Sequence, residues 1–164
     1  MRGIIRRWVL SRVIKSALTF ETDSIELYER LTEELADDTG HTGPAKACRD
    51  DLHASLCHLL EEEREHWRLL QDAADGRLSL EELQSLSSGH TYGRYDAIEP
   101  LPREGYERWV AELDRALAQE EKTWIFYSNL RRMSKIPVVK RAFEVLAGME
   151  KEHLEILRRL LGRG

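Results

Sequence analysis

The chain has 164 residues, 41% of them hydrophobic and 34% charged, which is enough for one domain with a substantial core and suits a helical bundle. Its formal net charge of −5 argues against an overall attraction to nucleic acid, so no nucleic-acid partner is expected. Because no apolar run resembles a secretory or membrane-spanning segment, we expect a cytoplasmic protein with no membrane partner.

The first predicted helix has a basic beginning and an apolar seam. Residues 2 to 15 mix arginine and lysine with apolar side chains, which fits either a membrane-seeking amphipathic segment or the front of helix one. The second interpretation is favoured, because the apolar spacing continues without a break into a helix that should end near Asp37 or Asp38. The seam of this helix is formed by Ile14, Leu18, Glu21, Ile25 and Tyr28.

A second helix is predicted from Pro44 to about Ala74, with Gly43 before it and Gly76 closing it. Residues at alternating steps of four and three form its seam. They are Leu52, Leu56, Leu59, Glu63, His66 and Leu70. A glutamate and a histidine therefore interrupt an apolar stripe.

Residues of helix two outside this seam are not expected to bind metal. His53 and His58 are expected to be solvated or capping residues, and the Glu61-Glu62 run is predicted to lie on an exposed helix face. Cys48 and Cys57 are too far apart along the helix to form a disulfide with each other. The sequence has no C-x-x-C pair, so no rubredoxin-type iron centre is predicted.

A crossover is predicted from residue 77 to 104, because its glycines and prolines exclude a continuous helix. Ser79-x-x-Glu82 resembles a capping box for one short helix that continues to about Leu86. Three side chains in the crossover are expected to pack on the surface, although a binding loop is the alternative: His90, Tyr92 and Tyr95.

Helix three is predicted from about Glu104 to Ser134, and Pro137 should open a fourth helix that continues almost to the end of the chain. The seam of helix three is Val110, Leu113, Leu117, Glu120, Trp124 and Tyr127. The seam of helix four is Phe143, Leu146, Glu150, His153, Leu157 and Leu160. Each half of the chain thus carries a Glu, a Tyr seven residues later, and a Glu-x-x-His.

Every predicted helix places one glutamate in its apolar seam. An unpartnered buried carboxylate is destabilising by several kcal/mol, and these seams contain no lysine or arginine to neutralise it. Two divalent cations carry the four positive charges that balance four carboxylates, whereas two neutral imidazoles add no charge. The repeated pattern therefore predicts a two-metal carboxylate site.

The repeated motifs, together with the segments LLEEEREHWRLL and VLAGMEKEHLEIL, resemble the rubrerythrin and ferritin-like di-iron family over residues 8 to 161. The resemblance implies an all-α fold: a ferritin-like up-down-down-up four-helix bundle made of two helical hairpins joined by a long crossover. Residues 1–164 would form one domain, with hairpins at 8–76 and 105–161 and the crossover at 77–104.

The same resemblance implies a cofactor of two iron ions per chain, with manganese as the alternative. Its ligands, which would also carry any catalysis, would be Glu21, Glu63, His66, Glu120, Glu150 and His153. Tyr28 and Tyr127 would hydrogen-bond ligand carboxylates. Typical rubrerythrins carry one more Glu, three residues after the helix-three ligand, where this chain has Thr123.

The function implied by the resemblance is that of a di-iron oxidoreductase, which reduces hydrogen peroxide or reacts with dioxygen. Typical rubrerythrins receive electrons through a rubredoxin domain, and this sequence contains none, so an external electron donor is expected. A ferroxidase or iron-handling protein is the first alternative, and a non-catalytic metal-binding bundle is the second. A homodimer is also expected.

Overall fold

The computed structural model describes residues 2–38, 44–77, 81, 83 and 98–163, and four long helices account for most of them. We number these helices in chain order as α1 (Arg2–Asp37), α2 (Pro44–Ala74), α3 (Glu107–Met133) and α4 (Pro137–Leu160). The described residues contain no strand, which confirms the predicted all-α class.

The helix boundaries follow from local backbone chemistry. Helix α2 ends where Gly76 takes a positive φ of 71° and the N–H of Arg77 donates to the carbonyl of Asp72, so a free helix-end carbonyl gains a partner. Pro137 occupies the first turn of α4, as predicted. Helix α3 begins three residues later than predicted, because Gly105 has a φ of 81° and interrupts the helical backbone just before it.

Contacts between the hairpins fix the direction of each helix. Helix α1 packs on α2, and α3 packs on α4. Between the hairpins, Tyr28 contacts Glu120 and Glu21 contacts Tyr127, so residue numbers rise on α1 as they fall on α3. The same opposed order joins α2 to α4. The bundle therefore runs up-down-down-up, which confirms the ferritin-like prediction.

The crossover joins opposite ends of the bundle, because α2 and α3 run in the same direction. Its last part is anchored at the end of α4, where the N–H of the buried Leu101 donates to the carbonyl of Leu160 over 2.8 Å. Glu81 and the buried Leu83, both within the predicted short helix, are helical. Several predicted features lie outside the described residues: Gly43, Ser79, Glu82 and Leu86, and His90, Tyr92 and Tyr95.

Two clusters of apolar side chains form the core. One contains Tyr28 and Leu59, and the other contains Tyr127 and Phe143. The buried glutamates and histidines lie on the same helix seams, between these two clusters. The polar centre is therefore covered by apolar side chains along the bundle axis.

Helix α1 runs without interruption from Arg2, so the basic stretch at its beginning is continuous with helix one. Among the described helices, none combines the length and the apolar character needed to cross a bilayer.

Candidate metal centre

All six side chains predicted as metal ligands meet in the middle of the bundle, with contributions from every helix. Each has an exposed fraction of 0%. They are Glu21 of α1, Glu63 and His66 of α2, Glu120 of α3, and Glu150 and His153 of α4. The seam periodicity thus placed all six in one buried cluster.

The cluster has two sides, each organised around one histidine. The rings of His66 and His153 are nearly parallel, with centroids 5.1 Å apart and 16° between their planes. On the His66 side, Nδ1 lies 3.3 Å from Oε2 of Glu21. On the His153 side, Nδ1 lies 3.8 Å from Oε2 of Glu120. Each side therefore combines one imidazole nitrogen with a carboxylate from the other helix of the same hairpin.

The remaining two carboxylates are shared between the sides. Glu63 Oε1 lies 3.8 Å from Nδ1 of His66 and 2.7 Å from Nδ1 of His153. Glu150 reaches His66 through Oε1 at 3.3 Å and His153 through Oε2 at 3.9 Å. Ligand atoms of these four residues all lie within 4.8 Å of one another. Glu63 and Glu150 thus lie near both histidines, whereas Glu21 lies near His66 and Glu120 near His153.

The polar atoms of this cluster lack hydrogen-bond partners, which is costly in a buried site. Nine such atoms occur in the described part of the chain: Glu21 Oε2, both oxygens of Glu63 and of Glu150, Glu120 Oε2, both nitrogens of His66, and His153 Nδ1. Cations bound among these atoms would supply the missing partners. Carboxylate and imidazole donors suit iron or manganese, so the residues fit the predicted pair of ions.

Two tyrosines hold the outer carboxylates in a reciprocal arrangement. The hydroxyl of Tyr28 on α1 donates to Oε1 of Glu120 on α3 over 2.7 Å. The hydroxyl of Tyr127 on α3 donates to Oε1 of Glu21 on α1. Each bond leaves Oε2 of its glutamate directed to the cluster without a hydrogen-bond partner. Each tyrosine thus holds one carboxylate of the cluster by a hydrogen bond, as the family resemblance implied.

Replacing Tyr28 with Phe should weaken metal binding on the His153 side by about 10–100-fold, because Glu120 loses the hydroxyl that orients it. The change is measured by calorimetric titration of metal-free protein with Co(II). Tyr106→Phe is the matched control, since it removes another buried tyrosine hydroxyl outside this cluster. Equal affinities in Tyr28→Phe and wild type would contradict the assigned role of the hydroxyl.

Without metal, the shared carboxyl groups have raised pKa values. Burial is the main cause that raises the pKa of Glu63 and Glu150 well above the ordinary carboxyl value, and the neighbouring glutamates raise it further. The pKa of Tyr28 and of Tyr127 is also raised, by burial and then by the nearby carboxylates, so both remain hydrogen-bond donors.

The pKa shifts of the two histidines and of Glu120 have causes that differ from those of the shared glutamates. Burial lowers the pKa of His66 and His153, but the surrounding carboxylates outweigh it, so both values are raised, that of His153 well above the ordinary imidazole value. Burial also raises the pKa of Glu120, yet the net shift is downward, because nearby His153 and the Tyr28 hydroxyl favour its anion. In the metal-free core, the pKa of both shared glutamates and of both histidines is thus raised, whereas that of Glu120 is lowered.

Glu62 is a polar residue that the sequence pattern misassigned. It was predicted to lie on an exposed helix face, but its side chain is only 12% exposed and its Oε2 lies 3.0 Å from Nε2 of His153. The prediction was wrong because position 62 borders the seam, so that its side chain reaches α4. His58 lies off the seam as predicted, with Nε2 3.4 Å from Oε1 of Glu62.

Two small hydroxyl side chains lie one turn beyond the outer glutamates. Thr123, three residues after Glu120, is fully buried, and its hydroxyl donates to the carbonyl of Gln119 over 3.2 Å. Ser24, three residues after Glu21, is also fully buried and accepts a hydrogen bond from the Gln119 side chain over 3.1 Å. The side chains at positions 24 and 123 are therefore both uncharged. The sequence pattern did not indicate Ser24 as a residue near the cluster.

The rubrerythrin family model matches residues 112–164, which include most of α3 and all of α4. This match is consistent with the predicted relation to the rubrerythrin and ferritin-like di-iron family. No curated protein and no solved structure gives a significant match. Together with the buried glutamate and histidine cluster, the family match suggests a metal-binding protein of the di-iron type.

Proposed function

We propose that this chain is a di-iron oxidoreductase of rubrerythrin type, in which the six clustered residues hold two iron ions. Iron held by these residues would supply the two electrons that, with two protons, reduce one hydrogen peroxide to two waters, and an external donor would return the electrons. In this proposal the partners are the small oxidant, the electron donor and a second copy of the chain.

One observation carries the proposal: all four oxygens of Glu63 and Glu150 are buried without hydrogen-bond partners while lying between two imidazoles. A carboxylate that serves only the fold is normally satisfied by hydrogen bonds. Carboxylates that lie between two imidazoles and are not held by hydrogen bonds could change the way in which they coordinate two metal ions when the charge of those ions changes. That property suits a redox centre better than a single closed structural ion.

The other residues of the site have defined tasks in this proposal. Glu21 and Glu120 each present one oxygen to the centre, because a tyrosine holds the other oxygen. The apolar clusters around Tyr28 and Tyr127 exclude bulk water from the centre, which strengthens its electrostatic interactions. In this proposal the protein positions the metal ions and balances their charge, and the metal ions would supply the electrons.

The function is tested with protein loaded anaerobically with two Fe(II) per chain and supplied with hydrogen peroxide and reduced methyl viologen. Metal-free protein gives the background rate. The proposal predicts repeated turnover, with two donor electrons consumed per peroxide. Continued oxidation and retention of added Fe(II) beyond two ions per chain, without donor turnover, would assign iron handling instead. Absence of both reactions would leave a non-catalytic metal-binding bundle.

The neutral Thr123 provides a test of oxidant choice. We expect Thr123→Glu to slow oxidation by dioxygen relative to oxidation by peroxide, because it restores the additional carboxylate that typical rubrerythrins carry at this position. Stopped-flow oxidation of the ferrous protein by each oxidant measures the ratio of rates. Thr123→Gln, which has similar size but no charge, is the matched control. An unchanged ratio in Thr123→Glu would show that position 123 does not govern oxidant choice.

A further inference from the structure

The two Glu-x-x-His motifs are equivalent in position but differ in the residue that precedes each glutamate. Glu62 precedes Glu63 on α2, whereas Met149 precedes Glu150 on α4. The helices α2 and α4 face each other in opposite directions, and the two motifs exchange contacts across this interface. A carboxylate is therefore available on one side of the pseudo-symmetric centre, and a thioether occupies the equivalent position on the other.

The Nε2 atoms of the two histidines differ in their hydrogen-bond partners. Nε2 of His153 lies 3.0 Å from Oε2 of Glu62, and the other oxygen of Glu62 lies 3.4 Å from Nε2 of His58. Nε2 of His66 is buried and has no hydrogen-bond partner within the described residues. Glu62 is thus held between two imidazoles, while His66 has no corresponding acceptor.

We propose that Glu62 is a positioning residue that makes the two metal positions unequal, so that the ion on the His153 side binds first and more tightly. This inference rests on the proposed dinuclear centre. When Nε2–H of His153 donates to Glu62, Nδ1 retains its lone pair, and Nδ1 is the nitrogen that faces the shared carboxylates. A carboxylate acceptor also makes the imidazole a stronger ligand, and such partners commonly change metal affinity about 10–100-fold.

The test is an anaerobic calorimetric titration of the metal-free full chain with Co(II), whose visible absorption also reports its coordination. Wild type should bind two ions in resolved steps that differ at least about tenfold in affinity. Glu62→Leu should weaken the tighter step by about 10–100-fold and leave the other affinity unchanged, so that the steps merge. Glu62→Gln retains an oxygen acceptor and should restore part of the separation.

Glu61→Gln is the matched control, because it removes one negative charge from the exposed position next to Glu62 and should leave both steps as in wild type. Equal weakening of both steps in Glu62→Leu, or no change in either, would overturn the inference while two bound ions still supported the dinuclear centre. Two equal steps in wild type would also overturn the inference. Binding of fewer than two ions by wild type would instead overturn the dinuclear centre itself.

Discussion

In the metal-free protein, the free energy of unfolding should decrease as the pH rises from 5.5 to 8. In the metal-free fold, the pKa of Glu63, Glu150, His66 and His153 is raised, so the folded chain keeps protons that the unfolded chain has released. The stability associated with these groups is fully present below their unfolded pKa values and is lost as the pH rises towards the folded ones. Glu120, whose pKa is lowered, acts in the opposite sense only at more acidic pH.

Each extra proton kept by the folded state lowers stability by about 1.4 kcal/mol per pH unit. For one extra proton over two pH units, the melting temperature of a chain of this size should fall by roughly 6–11 °C. Bound metal displaces these protons, so the melting temperature of the loaded protein should not show this decrease. Calorimetric melting of both forms between pH 5.5 and 8 checks the result, and parallel pH profiles would contradict it.

Replacing Glu63 with Gln should abolish the stabilisation by metal and yet stabilise the metal-free protein. Glu63 lies beside both imidazoles, so its loss removes a ligand from both sides of the centre. The neutral amide has nearly the same shape and no charge to bury, so the metal-free variant should exceed metal-free wild type at pH 8 by about 1–3 kcal/mol. Denaturant unfolding with and without Co(II) measures both effects.

Glu65→Gln is the control for this substitution, because it removes the charge of an exposed glutamate on the same helix. It should change stability by less than about 0.5 kcal/mol and retain stabilisation by metal. If Glu63→Gln were destabilised without metal, or were still stabilised by Co(II) as strongly as wild type, Glu63 would not be a shared ligand in the core.

The sequence was sufficient to predict the helices and the buried cluster because both depend on helical periodicity. Glu63 and His66 continue the spacing that begins at Leu52, and the same holds for Glu150 and His153 on α4. Once each seam is buried, a charged member of the seam must be buried with it. The direction of the helices came instead from the family resemblance, which implied two hairpins joined by a long crossover.

Features that depend on contacts between helices were not predictable in this way. Glu62 was assigned to a solvated face because it is one residue from the seam, and only the position of α4 shows that it reaches His153. The exchange of hydrogen bonds by which Tyr28 holds Glu120, and Tyr127 holds Glu21, required the antiparallel register of α1 and α3. Periodicity gives the face of a helix, but it does not give the partner across an interface.

Metal analysis of wild-type protein, purified without added metal and then titrated anaerobically with Fe(II), tests the dinuclear centre most directly. Four buried carboxylates and two imidazoles predict two ions per chain, with iron or manganese as the metal found on purification. Bound Fe(II) should saturate at two ions per chain and develop the absorption of a bridged diferric centre after exposure to air. A single tightly held zinc ion, or no uptake of a second ion, would contradict the account.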